Sequence, residues 1–428
     1  MRKLLPAVIL AAACATPGQT RPSTRPTTRP AAPTASTARS RHYSVYAETL
    51  PAADVAAMLE ALHERLGRFF GRAPKGHLRV EVYTTRDRWL AAMRRDGDGD
   101  PGEGGGYYRP ANRTAYLYVQ PSEYFTRHLI VHEAAHQFHW LVATGNRAPA
   151  CEWYAEGLVE YFAMHDWDGR RLRTGVVPAV TLEDYPARAL KALRQVGHDM
   201  EAVIAGRTAA GRPLAWAMVH YLVNRRGEAF GRLRRRLDRR EDPLAAWRAE
   251  LGPVGDDLRG RLREWLEARQ QPWRVVWTSW QQRGDAIEGG SRTKALAVLK
   301  RTPRSLSADV ELIRGPLKAG IAFGYRSPRD FYLFQAVGPD RFRVVRRFGH
   351  GWRRVCSGRM APATGRRVLS VKLDGGAAVL SADGKAVAKV KARGQVGLNA
   401  DACRVRFRVT RSGSAEPAPT TRPARIRF

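Results

Sequence analysis

Residues 122–140 read SEYFTRHLIVHEAAHQFHW, and a short interval later residues 152–162 read EWYAEGLVEYF. The first stretch opens on Ser122, a good N-cap, and meets no glycine or proline before Gly145, so it predicts one long helix. Within it His132 and His136 stand four apart and share a face, which lets both imidazoles reach one ion. Glu133 sits beside the first histidine and can address a water on that ion. Neutral imidazoles with a carboxylate suit Zn²⁺, and three protein ligands leave the open position that catalysis needs. A second helix runs from about Glu152 to His165. It carries Glu156-Gly157 with an aromatic before it and Glu160 one turn beyond, a far narrower pattern than a lone glutamate.

The elements around this pair set an α+β frame. Val55, Met58, Leu59, Leu62, Leu66 and Phe69 mark an amphipathic helix over 54–70, and Leu78, Val80 and Val82 alternate as in a half-buried strand. Tyr107 to Val119 predicts a hairpin turning near Pro110. The loop over 96–106 begins like a calcium loop, but Pro101 takes the position where glycine is obligatory and Tyr107 that of the bidentate glutamate, so it is no metal site. Helices continue to about residue 270. Beyond Pro272 short alternating runs separated by turn signals (Ala308 to Leu312, Phe331 to Val337, Phe342 to Val345, Val368 to Leu373, Val405 and Phe407) predict an all-β sandwich.

The helix pair resembles the gluzincin zinc metallopeptidases, specifically their secreted bacterial peptidase-MA-like branch, in which H-E-x-x-H-Q is followed by W-x-x-E-G-L-x-x-Y-F. His132 to Gln137 and Trp153 to Phe162 match that pattern in order. Gly105 to Tyr108 and the later run Trp216 to Leu222 also look like that branch, and the resemblance spans roughly residues 42–245. It implies a zincin-like α+β domain with His132, His136 and Glu156 as zinc ligands, Glu133 as general base, and Glu160 holding a zinc histidine in its tautomer. Relatives often carry a tyrosine four residues before the aromatic at Trp216, where it stabilises the oxyanion. Arg212 stands there, so that role falls to Arg212, moves to Tyr221, or is lost. His139 lies three beyond His136 rather than the six of the metzincin pattern, which makes it an outer neighbour of the site or a surface residue. Cys151 reads as a buried, inert thiol.

Residues 273–411 resemble concanavalin-like sandwich domains of secreted bacterial proteins, through Gly394 to Leu398 and the Asp383-Gly384-Lys385 hairpin. Such domains often bind glycans. Trp273, Trp277, Trp280 and Trp352 are either stacking platforms for sugar rings or core residues.

The ends of the chain supply an address. Arg2 and Lys3, the apolar run Leu4 to Ala13 and the small residues after it have the layout of a signal peptide. Ala11 to Cys14 resembles a lipobox, leaving lipid anchoring at Cys14 and plain cleavage both open. Residues 15–41 read as a Pro/Thr/Arg-rich linker and 412–428 as a disordered tail. The expected order is therefore signal peptide 1–14, linker 15–41, metallopeptidase domain 42–270, sandwich 271–411 and tail. Cys356 and Cys403 either pair or remain two buried thiols. The formal charge of +33 rests on 63 Arg against 10 Lys. The arginines are dispersed rather than blocked, as a general preference for Arg codons produces, and secretion removes nucleic acid as a partner.

Two functions follow as expectations. The first is an extracytoplasmic zinc endopeptidase, periplasmic or at the cell surface, acting on protein or peptide. It would bind an extended substrate along the edge strand Thr114 to Val119, with a cell-surface glycan as the sandwich's partner. The second is a surface-anchored glycan- or protein-binding protein on a peptidase-like scaffold that no longer turns over.

Overall fold

The computed structural model describes residues 35–412, apart from residues 103, 150, 198, 255, 278–279 and 291–293. The expected signal peptide, most of the linker and the tail beyond Ser412 lie outside the described residues. The chain forms a mixed α/β region followed by a β-sandwich of two antiparallel sheets.

The linker reading extends too far. Ser36–Arg39 form a strand, β1, paired antiparallel with β2 (Tyr43–Ala47). No proline lies between Pro33 and Pro51, so every residue of β1 and β2 has a backbone N–H for the ladder. Helix α1 (Ala52–Phe70) buries Val55, Met58, Leu59, Leu62, Leu66 and Phe70 on one face and ends at Gly71, whose φ of 71° stops the helix. Next come β3 (Leu78–Tyr83), α2 (Arg86–Arg95), β4 (Gly106–Arg109) and β5 (Thr114–Tyr118). The sheet order is β1-β2-β3-β5-β4, with β2, β3 and β5 parallel and an antiparallel strand at each end. β4 is therefore the edge, and the expectation that Thr114 to Val119 forms it is corrected: β5 is enclosed between β3 and β4.

Helix α3 (Glu123–Ala143) is capped by Ser122, whose hydroxyl accepts from the Phe125 N–H. It packs on α1, β4 and β5 and against α4 (Glu152–Ala163), so it is buried almost all round rather than amphipathic. A short hairpin follows, β6 (His165–Trp167) with β7 (Leu172–Thr174). Then come α5 (Tyr185–Val196), α6 (Met200–Ile204), α7 (Gly211–Arg225), α8 (Gly227–Asp238), α9 (Pro243–Leu251) and α10 (Asp256–Glu267). Helices α4 and α7 approach closely because Gly157 has no side chain. A Cβ there would overlap the Ala215 carbonyl oxygen and stand 2.8 Å from Val219 Cγ2.

Among the described residues the sandwich strands are β8 (Trp273–Trp277), β9 (Trp280–Arg283), β10 (Ala286–Gly289), β11 (Lys294–Leu299), β12 (Ser305–Arg314), β13 (Lys318–Ser327), β14 (Asp330–Val337), β15 (Arg341–Phe348), β16 (Gly351–Arg359), β17 (Arg366–Asp374), β18 (Ala377–Ala382), β19 (Lys385–Lys391), β20 (Gln395–Asp401) and β21 (Arg404–Ser412). One sheet runs β19-β18-β17-β12-β21-β10-β9 and the other β16-β15-β14-β13-β20-β11-β8. Trp273, Phe323, Phe334, Leu306, Leu398 and Phe407 fill the space between them.

The second sheet is strongly curved. β16 and β11 are five strands apart in it, about 24 Å on a flat sheet. Yet the Lys294 ammonium of β11 lies 4.3 Å from the Trp352 ring of β16. Trp277 and Trp352 come in from opposite edges onto Phe331, at 5.5 and 5.7 Å, and Arg347 stacks on both. The outer hollow of the sheet is thus filled by its own side chains, while Trp273 and Trp280 are buried in the main core. These four tryptophans hold the sandwich together. Cys356 and Cys403 remain unpaired; the Cys403 thiol donates to the Lys318 carbonyl.

The two regions interlock. Val180, in the segment between β7 and α5, is fully buried in the sandwich core. Glu123, the first residue of α3, pairs with Arg404 at 2.9 Å and Arg283 at 3.5 Å. Arg127 donates to Gln281, and Asp166 accepts from the Gly284 N–H.

Candidate metal centre

Two helices bring the expected ligands together. On α3, His132 and His136 project from successive turns, with ring centroids 4.8 Å apart. Glu156 of α4 faces both: its Oε2 lies 3.6 Å from His132 Nε2 and its Oε1 3.3 Å from His136 Nε2. One ligand atom from each of the three lies within 4.8 Å of the others. His132 Nε2 is buried with no hydrogen-bond partner, and Glu156 Oε2 has only the Arg212 guanidinium as an ion-pair partner. Buried polar atoms without partners are rare, and a buried lone pair aimed at a second imidazole and a carboxylate is what a divalent cation would satisfy. The donor set fits such an ion.

Glu160, one turn beyond Glu156, is fully buried and straddles two imidazoles. Its Oε1 is 3.3 Å from His132 Nδ1 and its Oε2 is 2.9 Å from His128 Nε2. A proton on His132 Nδ1 facing Glu160 leaves the Nε2 lone pair directed at Glu156 and His136, the tautomer a ligand needs. Burial would raise the Glu160 carboxyl, but His128 and His132 outweigh it and hold the group well below the usual carboxylate range. His128, His132 and Glu160 form a second, wholly buried donor set that is also able to hold a metal ion. The set with Glu156 differs in that its carboxylate is 24% exposed, so it alone keeps a side open to solvent.

Burial likewise pushes Glu156 upward, and His136, His132 and Arg212 bring it down to about 2. Arg212 of α7 lies beside these ligands, its Nε 3.2 Å from Glu156 Oε2. Tyr221 does not. It packs on Trp265 of α10 with centroids 5.7 Å apart. Nine residues beyond Arg212 is about 900° around a helix, which is the opposite face. Tyr221 is therefore corrected out of the site.

Glu133 is buried against the edge strand. A Cβ on Gly106 of β4 would stand 2.8 Å from Glu133 Cγ and 2.9 Å from its Oε1, so the glycine makes room for this side chain. His139 is buried rather than at the surface: its Nε2 pairs with Asp238 at 2.8 Å, and its ring stacks on Phe70. Cys151 is buried, and burial pushes its thiol up to about 12. Of the described carboxylates in the 96–106 loop, Asp96 is taken by Arg95, Asp98 by Arg109 and Asp100 by Arg86.

Sequence reasoning missed two residues. His128 continues the spacing of four that joins His132 to His136, and that spacing is the signal that marks it. Tyr185, at the start of α5, packs 6.0 Å from the His128 ring and 5.8 Å from Trp216. Burial, with Glu160 and Glu183 nearby, keeps its hydroxyl protonated. No local pattern distinguishes it.

Residues 128–245 match the family described as a protein of unknown function, DUF1570. No curated protein matches the chain in sequence. The sandwich resembles solved carbohydrate-binding and glycosidase structures. One is the carbohydrate-binding module CBM66 from Bacillus subtilis, at 16% identity over 32% of this chain and 91% of that one, with a TM-score of 0.29. A second is the GH43 protein BlXynB from Bacillus licheniformis, at 15% identity over 32% and 36%, with a TM-score of 0.25. A third is the galectin LEC-6 from Caenorhabditis elegans, at 14% identity over 32% and 96%, with a TM-score of 0.21.

Proposed function

We propose that the protein is a zinc-dependent endopeptidase acting outside the cytoplasm. The observation that carries this reading is the convergence of His132 Nε2, His136 Nε2 and Glu156 on one half-open point, with Glu133 beside it under the edge strand. His132, His136 and Glu156 would hold the ion, which when bound supplies a Lewis acid for a carbonyl oxygen and lowers the pKa of a water. Glu133 takes the proton of the attacking water and returns it to the leaving amine nitrogen. Arg212 offers a guanidinium for charge developing on the carbonyl oxygen. The free edge of β4 offers backbone N–H and C=O groups to an extended peptide. Lipid at Cys14 and a surface glycan on the sandwich belong to the same reading.

One observation favours a second reading, metal bound without turnover. Arg212 already engages Glu156 Oε2, so its guanidinium is committed to a ligand carboxylate rather than free for charge on a carbonyl oxygen. The test is zinc content and casein hydrolysis of the purified full chain beside Glu133→Gln and His136→Ala. Peptidase activity predicts stoichiometric zinc in wild type and Glu133→Gln, none in His136→Ala, and cleavage by wild type alone. Zinc without cleavage of casein or of a mixed peptide library selects the second reading. Absence of zinc from wild type overturns both.

A further inference from the structure

One end of the sandwich carries an unusual surface. β15 and β16 are joined by the two-residue turn Gly349-His350, since Phe348 pairs with Gly351. A positive φ at Gly349 alone gives the pattern of a type II′ turn, which suits a tight hairpin. Around it the chain reads Arg346-Arg347-Phe348-Gly349-His350-Gly351-Trp352-Arg353-Arg354, four arginines and no carboxylate. The neighbouring turn between β13 and β14 lies at the same end, because Asp330 pairs with Phe348, and it adds Arg326 and Arg329. Asp330 is the one acidic residue among these, and it is shared by Arg346 and Arg326.

At the tip, Phe348 is 69% exposed, the most exposed of the large hydrophobic side chains among the described residues. Val355, further along β16, is also exposed. A lone exposed phenylalanine is ordinary; one at the apex of a hairpin ringed by arginines is not. The arginines have few local counter-charges, and Arg353 and Arg354 are exposed.

We propose that this hairpin end docks on an anionic lipid surface, with Phe348 entering the headgroup layer and Arg326, Arg329, Arg353 and Arg354 facing phosphates. An apolar tip with a basic collar matches the layering of a membrane interface, where aromatic and cationic side chains settle at the headgroups. A polysaccharide would instead need a platform of free rings, and Trp277 and Trp352 are already occupied with Phe331 and Arg347. The inference does not depend on peptidase activity.

The test is co-sedimentation of the full chain carrying Cys14→Ser, which removes any lipid anchor, with phosphatidylcholine vesicles containing or lacking phosphatidylglycerol. Binding should require phosphatidylglycerol. Phe348→Ser should weaken it about thirtyfold, the burial of one phenylalanine side chain. Arg353→Glu with Arg354→Glu should weaken it by at least about a hundredfold. Because the whole chain is basic, Arg232→Glu with Arg235→Glu on α8 serves as the comparison and should change binding less than threefold. Equal losses from the α8 pair, no effect of Phe348→Ser, or no binding to either vesicle would each overturn the proposal. So would full competition by soluble polygalacturonate with no requirement for Phe348, an outcome that assigns the surface to an acidic glycan. Phe348, Arg353, Arg354, Arg232 and Arg235 are all exposed, and unchanged thermal midpoints check that each variant folds.

Discussion

Glu160 and His128 form the part of the site where a single atom matters most. Replacing Glu160 by Gln keeps the shape but removes the charge and turns one of its two acceptor oxygens into a donor, so it can no longer accept from both His132 and His128. Zinc affinity should fall about 10- to 100-fold, read by competition with a chromophoric chelator. His128→Ala should act in the same direction and more weakly, since Glu160 keeps its contact with His132. Much of this site was legible before any fold was known. The spacing of His132 and His136 and the carboxylates Glu156 and Glu160 are readable because helical geometry converts sequence distance into direction. His128 obeys the same spacing, but its role depends on Glu160 reaching it from another helix, and that is a tertiary fact. The choice of Tyr221 failed for a related reason: a residue nine positions from Arg212 belongs to the other face of α7.

Contacts between elements depend on small residues at two points. Gly157 lets α4 lie against α7, so Gly157→Ala forces backbone apart and should destabilise the protein by about 1–3 kcal/mol, measured by chemical denaturation. Gly106→Ala presses on Glu133 instead. The expected outcome is normal zinc content with hydrolysis reduced about 10²-fold or more, separating the carboxylate's placement from metal binding. The strands themselves were evident from alternation, and the hairpin of β4 and β5 from its turn. Which of the two lies at the edge was not, because alternation reports the buried face of a strand and says nothing of its neighbours. Curvature of the sandwich was equally invisible in sequence, so the tryptophans could be read either as platforms or as core until their partners were seen.

For the whole molecule, the junction between the regions is electrostatic at its rim. Burial raises the Glu288 carboxyl, and Arg406, Arg283 and Arg404 outweigh it and hold it below its ordinary value. Glu123 is lowered in the same way by Arg404, Arg127 and Arg283. A carboxylate depressed in the folded state contributes stability above its unfolded pKa, near 4.5. That contribution is lost as pH falls through the folded value. The thermal midpoint should therefore drop as the buffer is taken from pH 5 toward 3. Glu288→Gln should begin lower at pH 7 and show a shallower slope.

Val180 belongs to the helical region by sequence and to the sandwich by packing. Neither layer can melt alone without drawing a buried side chain out of the other, so calorimetry should record one endotherm for the two. Val180→Asp should split it. The segment that carries Val180 leads directly into Tyr185, beside His128. The sandwich would then act as ballast for the metal centre, damping the wall next to the ligands whatever it binds on its far side.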